Sequence, residues 1–218
     1  MGELVLVRHG QASFGAEDYD KLSPLGHQQS KWLGEYFKAH DLQFDAVWRG
    51  DLRRHRETAE GILSVIDAPA PRVDSRLDEF HYWQVEQDYI RHTGSGAPAT
   101  DRAEFIKLFP VVFDAWIGGE VDSETETFSD FDARVWAAMN DALTMGQRTL
   151  LVTSGGVIGV ALRRVLSLNA TATAELLLNT HNASVHRLEW EAGKLRLSLY
   201  NASPHLEASD RNHARTYV

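Results

Sequence analysis

The stretch Leu4-Val5-Leu6-Val7-Arg8-His9-Gly10 decides how the rest of the chain is read. Its unbroken apolar run has no polar face. Glu3 to Val7 therefore reads as a strand buried on both sides, as in a parallel sheet covered by helices. The run then ends abruptly in an arginine, a histidine and a glycine. A second stretch, Leu150-Leu151-Val152-Thr153-Ser154-Gly155-Gly156, has the same form but ends without a charge. In open α/β sheets, ligands bind beyond the carboxyl ends of the strands, so these two ends are where chemistry is expected.

Working outward, Gln11 to Leu22 reads as a polar loop, and Ser23-Pro24 starts a helix running to about His40. Serine is a favoured N-cap, and proline is tolerated at the first helical position. Phe44 to Trp48 reads as a strand, and Asp51 to Ile66 as a helix closed by Ala68-Pro69-Ala70-Pro71. Val73 opens an extended piece leading to Leu77-Asp78-Glu79-Phe80. Glu126 to Met145 reads as a helix, Thr149 to Thr153 as a buried strand and Gly156 to Leu168 as a helix. Ala183 to Trp190 and Lys194 to Tyr200 pair as a hairpin across Glu191-Ala192-Gly193. The segment 82–124 is less regular. It holds a turn at Gly94-Ser95-Gly96-Ala97-Pro98 and an amphipathic stretch from Arg102 to Ile117. It reads as a helical insertion over the carboxyl rim of the strands, a position from which loops select substrates. The alternation of strands and helices predicts an α/β fold: a three-layer sandwich with a mostly parallel sheet and an antiparallel edge. Residues 1–218 are read as one domain carrying that insertion.

Composition narrows the function. Of 218 residues, 43% are hydrophobic and 24% charged, which is ordinary for a globular chain. A net charge of -9 argues against nucleic acid as the partner but leaves room for a local cationic pocket. With no cysteine, thiol catalysis and disulfides are excluded. No signal peptide and no apolar run of membrane-spanning length is read, so a cytoplasmic location without membrane association is expected. The sequons at Asn169, Asn182 and Asn201 then count as chance.

Three strand ends carry the chemistry. The first brings Arg8 and His9. The second ends in Trp48-Arg49-Gly50, before a helix bearing Arg53, Arg54 and Arg56. The third brings Ser154, Gly155 and Gly156 at a helix start. Arginines grip phosphoryl oxygens through charge-assisted hydrogen bonds, and helix N-terminal amides favour anions. A histidine among them can act as nucleophile or acid–base group, and a nearby protonated carboxyl can supply the leaving group's proton.

These residues resemble the histidine phosphatase superfamily, in its phosphoglycerate-mutase-like branch. "LVRHGQ" resembles the signature of that family, and "GDLRRHRETAE" (Gly50 to Glu60) its second arginine segment, usually S-x-L-x-R-A-x-x-T-A. "RLDEF" (Arg76 to Phe80), "ETFSDFDARV" (Glu126 to Val135), "HNASVHRLEW" and "YNASPHL" resemble later segments in the same order, so the likeness spans nearly the whole chain. The resemblance implies metal-independent phosphomonoester hydrolysis through a phosphohistidine, with no cofactor and a small phosphorylated substrate. His9 would be the nucleophile, and Arg8 and Arg54 the phosphate clamps. Glu79 would be the acid, with Asp78 and Glu86 as competing carboxylates; Ser154 and Gly155 would complete the phosphate site.

The pattern also breaks. Where the family usually has a second histidine after its last parallel strand, this chain has Ser154. Gln11 replaces a frequent glutamate, Arg49-Gly50 a pair of serines, and His55 an alanine. Losing one well-placed transition-state donor costs about 2.7–4 kcal/mol. Three outcomes stay open: a slow phosphatase; compensation by another cation, with Arg49, His55, His81 and His181 as candidates; or a non-catalytic phospho-ligand-binding or regulatory protein. Mutase chemistry is less favoured, because no second cationic set for a bisphosphate is evident. The oligomeric state and the substrate are not legible.

Other motifs weigh less. Ser154 is no esterase nucleophile, since G-x-S-x-G fails at Val152. Ser154 to Gly159 half-resembles a dinucleotide loop but lacks a ribose-binding acid. No H-E-x-x-H occurs among the ten histidines, and His27, His40, His186 and His213 read as surface or structural. Trp83 is a candidate wall of the substrate cavity.

Overall fold

Six strands form one sheet, in the order β3 (Arg72–Val73), β2 (Ala46–Arg49), β4 (Arg148–Thr153), β1 (Glu3–Arg8), β5 (Val185–Glu191) and β6 (Lys194–Ala202). The structure is a computed structural model and describes residues 2–13, 20–94, 96–121 and 124–217. β1 and β4 lie side by side at the centre, and β2 and the short β3 continue the parallel part. β5 and β6 add an antiparallel edge next to β1. The two stretches compared at the outset are thus neighbours, with Arg8 opposite Thr153.

Alternate residues of each strand face opposite layers. Val5, Val7, Leu150 and Val152 pack with Leu33, Phe37 and Ile62 of α1 (Pro24–Ala39) and α2 (Arg53–Leu63). Leu4, Leu6 and Leu151 face the other way, toward α5 (Phe128–Leu143) and α6 (Gly155–Leu166). Both central strands are therefore buried on both sides, which is why their sequences do not alternate.

Helix starts follow local chemistry. Ser23 Oγ accepts from the Gly26 amide at 3.0 Å with Pro24 in the first turn, and Thr127 Oγ1 accepts from the Asp130 amide at 3.1 Å. α2 begins at Arg53, later than the Asp51 expected from sequence, because Asp78 Oδ1 takes the Asp51 and Leu52 amides at 2.7 and 3.3 Å. Segment 82–124 forms α3 (Tyr82–Thr93) and α4 (Arg102–Ile117). Gly94 ends α3 in the left-handed conformation, φ 65°; Ser95 of the expected turn lies outside the described residues, as do residues 14–19 of the loop expected at Gln11 to Leu22. α7 (Ala170–Asn179), for which the sequence reading gave no element, is capped by Asn169 through the Ala172 amide at 2.8 Å.

Aromatic packing ties α4 to the segment after β3: Phe80 stacks on Trp116 with ring centroids 4.7 Å apart. Phe109 and Phe113 are also buried there. Through Trp83 and Phe105, α3 and α4 wall the cavities at Arg8 and His9, where β1 ends. No helix among the described residues is long and apolar enough to cross a membrane.

Candidate active site

Arg8 and His9 are both buried at the end of β1. The turn that follows is fixed from three sides. The His9 amide donates to Thr153 O at 2.9 Å, the Ala183 amide to His9 O at 3.1 Å, and the Gly10 amide to Thr58 Oγ1 at 3.0 Å. Gly10 is required here because a Cβ would stand 2.5 Å from the carbonyl oxygen of Gly26, backbone against backbone. Thr58, one turn beyond Arg54 on α2, therefore ties the arginine helix to the histidine turn.

The His9 ring is oriented by its own neighbour, with Nδ1 lying 2.7 Å from Gly10 O. A carbonyl only accepts, so Nδ1 carries the hydrogen and Nε2 keeps its lone pair. Burial, followed by the charges of Arg54 and Arg8 and the nearby His55, holds the imidazole well below its ordinary value of 6.5. The Gly10 bond opposes this only in part. His9 is thus a neutral imidazole with a free lone pair beside two guanidinium groups.

Arg8 donates to Thr180 O, and its side chain passes close to Gly155, where a Cβ would stand 3.6 Å from Nε. Arg54, also buried, donates to Asp20 Oδ1 at 2.6 Å. Asp20 thus sets a carboxylate on one of the two arginines expected to clamp phosphate.

Glu79 lines the same cavity and accepts from the Gly156 amide at 3.0 Å through Oε2. Gly156 has to be glycine for this, since a Cβ there would meet Glu79 Oε1 at 2.0 Å. Of the two glycine amides expected to favour an anion at the start of α6, the second is therefore engaged by the Glu79 carboxyl. Burial raises the Glu79 carboxyl above its ordinary value of 4.5 despite that bond and the arginine charges.

The competing carboxylates lie elsewhere or act differently. Asp78 faces His55, with 3.4 Å between Oδ1 and Nδ1. Glu86 is buried within α3, where it accepts from Tyr82 Oη at 3.2 Å and the Ala99 amide at 3.4 Å. Ser154 is fully buried, with its Oγ 2.6 Å from His55 Nε2.

Of the other candidate cations, Arg49 donates to Gly50 O at 2.8 Å and stands 4.0 Å from Asp51. His181 packs on Tyr217 with ring centroids 5.1 Å apart. His81 lines the cavity that holds Glu79.

The sequence reading gave no role to Arg134 of α5. Its guanidinium donates to the backbone carbonyls of Arg76 and Asp78 at 2.9 and 2.8 Å, and it is paired with Glu126 at 2.6 Å. It thereby clamps the turn that presents Asp78 and Glu79. The only available signal was its place in the quoted "ETFSDFDARV" segment.

Two cavities meet at Arg8 and His9. One, of about 350 Å³, holds Arg54, Glu79 and Phe80; the other, of about 640 Å³, holds Gln11, Asp101, Arg102 and Tyr217. Trp83 and Phe105 line both, and Trp83 is 49% exposed. Among the described residues no cluster of three or more His, Asp or Glu is placed to hold a metal ion.

Comparison with known proteins identifies similar sequences and similar folds. A "Probable phosphoglycerate mutase GpmB" from Enterobacter sp. (strain 638) is 28% identical over 202 residues, covering 88% of this chain and 86% of that one. One from Salmonella choleraesuis is 29% identical over 199 residues, with the same coverage. Among solved structures, phosphoserine phosphatase from Entamoeba histolytica, in complex with 3-phosphoglyceric acid, superposes with a TM-score of 0.70 at 18% identity, covering 94% of this chain and all of that one. A mycobacterial glucosyl-3-phosphoglycerate phosphatase gives 0.65 at 23%, covering 93% and 99%. At such identities these structures establish the shared fold. The profile of the histidine phosphatase superfamily (branch 1) matches residues 4–203, and the chain belongs to that superfamily.

Proposed function

We propose that the protein is a phosphomonoester hydrolase that works through a phosphohistidine at His9. The observation that carries this is the His9 ring: Nδ1 is bonded to Gly10 O at 2.7 Å, which leaves Nε2 its lone pair, and His9 lines one cavity with Arg8, Arg54 and Glu79. In the first step Nε2 attacks phosphorus and the P–O bond to the leaving group breaks. Glu79, protonated, gives its proton to the departing alkoxide. Arg8 and Arg54 hold the equatorial oxygens, supplying the positive charge without a metal, and phosphate displaces the Asp20 carboxylate from Arg54. In the second step the Glu79 carboxylate takes a proton from water, which attacks the phosphohistidine and releases inorganic phosphate. Residues 1–218 act as one catalytic unit, with 82–124 shaping the substrate cavity, and the expected setting is the cytoplasm.

Hydrolysis is favoured over transfer between two positions of one substrate. His9 lines two cavities, of about 350 and 640 Å³, and space beside the phosphoenzyme is what a mutase has to close to water. The curated relatives carry a mutase name, so both reactions belong in the test.

The test is turnover of para-nitrophenyl phosphate in the presence of a metal chelator, together with rapid acid-free quenching to trap the phosphoenzyme. Expected are turnover and a phosphoryl group on His9 that is lost in acid, both absent from His9→Ala. A His9→Ala protein as active as the wild type overturns the reading. Phosphate binding without any phosphoenzyme moves the protein to a non-catalytic binding role. Phosphoryl transfer to phosphoglycerate in preference to water makes it a mutase.

A further inference from the structure

Ser154 caps α6 by position, yet its hydroxyl makes no capping hydrogen bond. The amide nearest to it in role, that of Gly156, is given to Glu79. The serine oxygen turns instead to His55 Nε2, at 2.6 Å. On the other side of the ring, Nδ1 stands 3.4 Å from Asp78 Oδ1. Both His55 and Ser154 are fully buried. The arrangement depends on Gly50, where a Cβ would stand 2.2 Å from His55 Nδ1 and 2.4 Å from Asp78 Oδ1. An acid, an imidazole and a hydroxyl are thus lined up in the layer directly behind His9, whose ring centroid is 5.8 Å from that of His55.

Given the phosphate site proposed above, on which this inference rests, we propose that His55 takes up one proton from solvent when a phosphoryl group binds between Arg8, His9 and Arg54. It then stands as an imidazolium between Asp78 and Ser154. In the unliganded protein His55 is neutral. Burial lowers its proton affinity, Asp78 raises it, Arg54 lowers it again and Asp20 raises it, with the net effect downward. In that state Nδ1–H points to Asp78 and Nε2 accepts the serine hydrogen. A bound phosphoryl group brings more negative charge within reach of the ring than the displaced Asp20 carboxylate takes away, so the balance shifts toward the cation. Protonated, Nε2–H donates to Ser154 Oγ, and the serine hydrogen is free to turn toward the site. The groups facing the ring in this exchange are Asp78, Ser154, His9, Arg54 and Asp20. His55 and Ser154 are positioning residues here: they place charge and a hydrogen behind His9 and form no bond to phosphorus. The chain thereby restores, from α2, the charge that a histidine at position 154 would have supplied.

Proton uptake and anion binding are reciprocal, so an upward shift of about one unit in His55 means about tenfold tighter phosphate binding by the protonated form. The test follows the His55 ring by heteronuclear NMR in the wild-type protein as pH is varied, with and without inorganic phosphate. The expected result is a rise of about one unit on phosphate binding, much reduced in Ser154→Ala. In parallel, the ratio of wild-type to His55→Gln affinity for inorganic phosphate should grow about tenfold as the pH falls through the wild-type titration. A His55 that stays neutral in the phosphate complex overturns the inference, as does a wild-type affinity that tracks His55→Gln at every pH. If His55→Gln fails to fold, the wild-type and Ser154→Ala titrations decide alone. Phosphoenzyme formation is read independently: its absence with the His55 shift intact defeats the proposed reaction and leaves this inference standing.

Discussion

The backbone amide of Gly156 donates to Glu79 Oε2 at 3.0 Å, so the first turn of α6 holds a carboxyl that begins far away in the chain. This contact works against the electrostatics of the site, because an amide at a helix start favours the charged carboxylate. Burial is the larger influence and keeps the group above its ordinary value. The amide therefore fixes where the acid stands, and burial fixes which form it takes.

Gly156→Ala tests this contact. A methyl group would sit 2.0 Å from Glu79 Oε1 and 2.6 Å from the Phe80 ring. Glu79 is the softer neighbour, since Phe80 is stacked on Trp116. The carboxyl is expected to leave its place, lowering kcat for alkyl phosphates on the order of a hundredfold, the usual contribution of a positioned acid. Overpacking should cost about 1–3 kcal/mol of stability, measurable by urea unfolding. Unchanged kcat would show that Glu79 is not the acid.

For the proposed reaction, the pH profile follows from His9 as nucleophile and Glu79 as acid. His9 is held well below 6.5 and has to be neutral to attack, so activity should rise as pH increases through its titration. Glu79 is held above 4.5 and has to be protonated to donate, so activity should fall as pH increases through its titration. The maximum of kcat/KM is expected between the two titrations. In Glu79→Gln the falling limb should disappear, most clearly with leaving groups that need a proton. A falling limb that persists in this variant would assign it to another group.

Arg134 offers a test of positioning without contact. It holds the backbone at Arg76 and Asp78 from a distance, and its removal leaves two carbonyls without that donor. Arg134→Ala should cost about 1–3 kcal/mol of stability. It should lower kcat more than it raises KM, because the acid loosens while both phosphate arginines stay in place. An equal effect on kcat and KM would mean that the whole pocket had collapsed.

Much of the fold was readable because its signals are local. The continuous apolar runs of β1 and β4 announce burial on both faces, and the amphipathic stretch from Arg102 to Ile117 is α4 with the same limits. α7 was not read. Its β-branched Thr171 and Thr173 weaken the helical pattern, and Asn169, which caps it, was read only as part of a sequon. The start of α2 was placed two residues early, since the carboxylate that captures those amides comes from Asp78, in a segment distant along the chain.

The sequence by itself determined which residue types stand at the strand ends: Arg8 and His9 on one, Ser154 and two glycines on the other. It also showed that these ends belong to a recognisable phosphatase pattern with a histidine missing. Only the tertiary structure decided that His55 meets Ser154, that Glu79 rests on Gly156, and that Asp20 holds Arg54. The reason is geometric. Periodicity fixes the face on which a side chain lies, but the partner it reaches depends on how α2, α6 and the turn at Asp78 pack over the ends of β1 and β4.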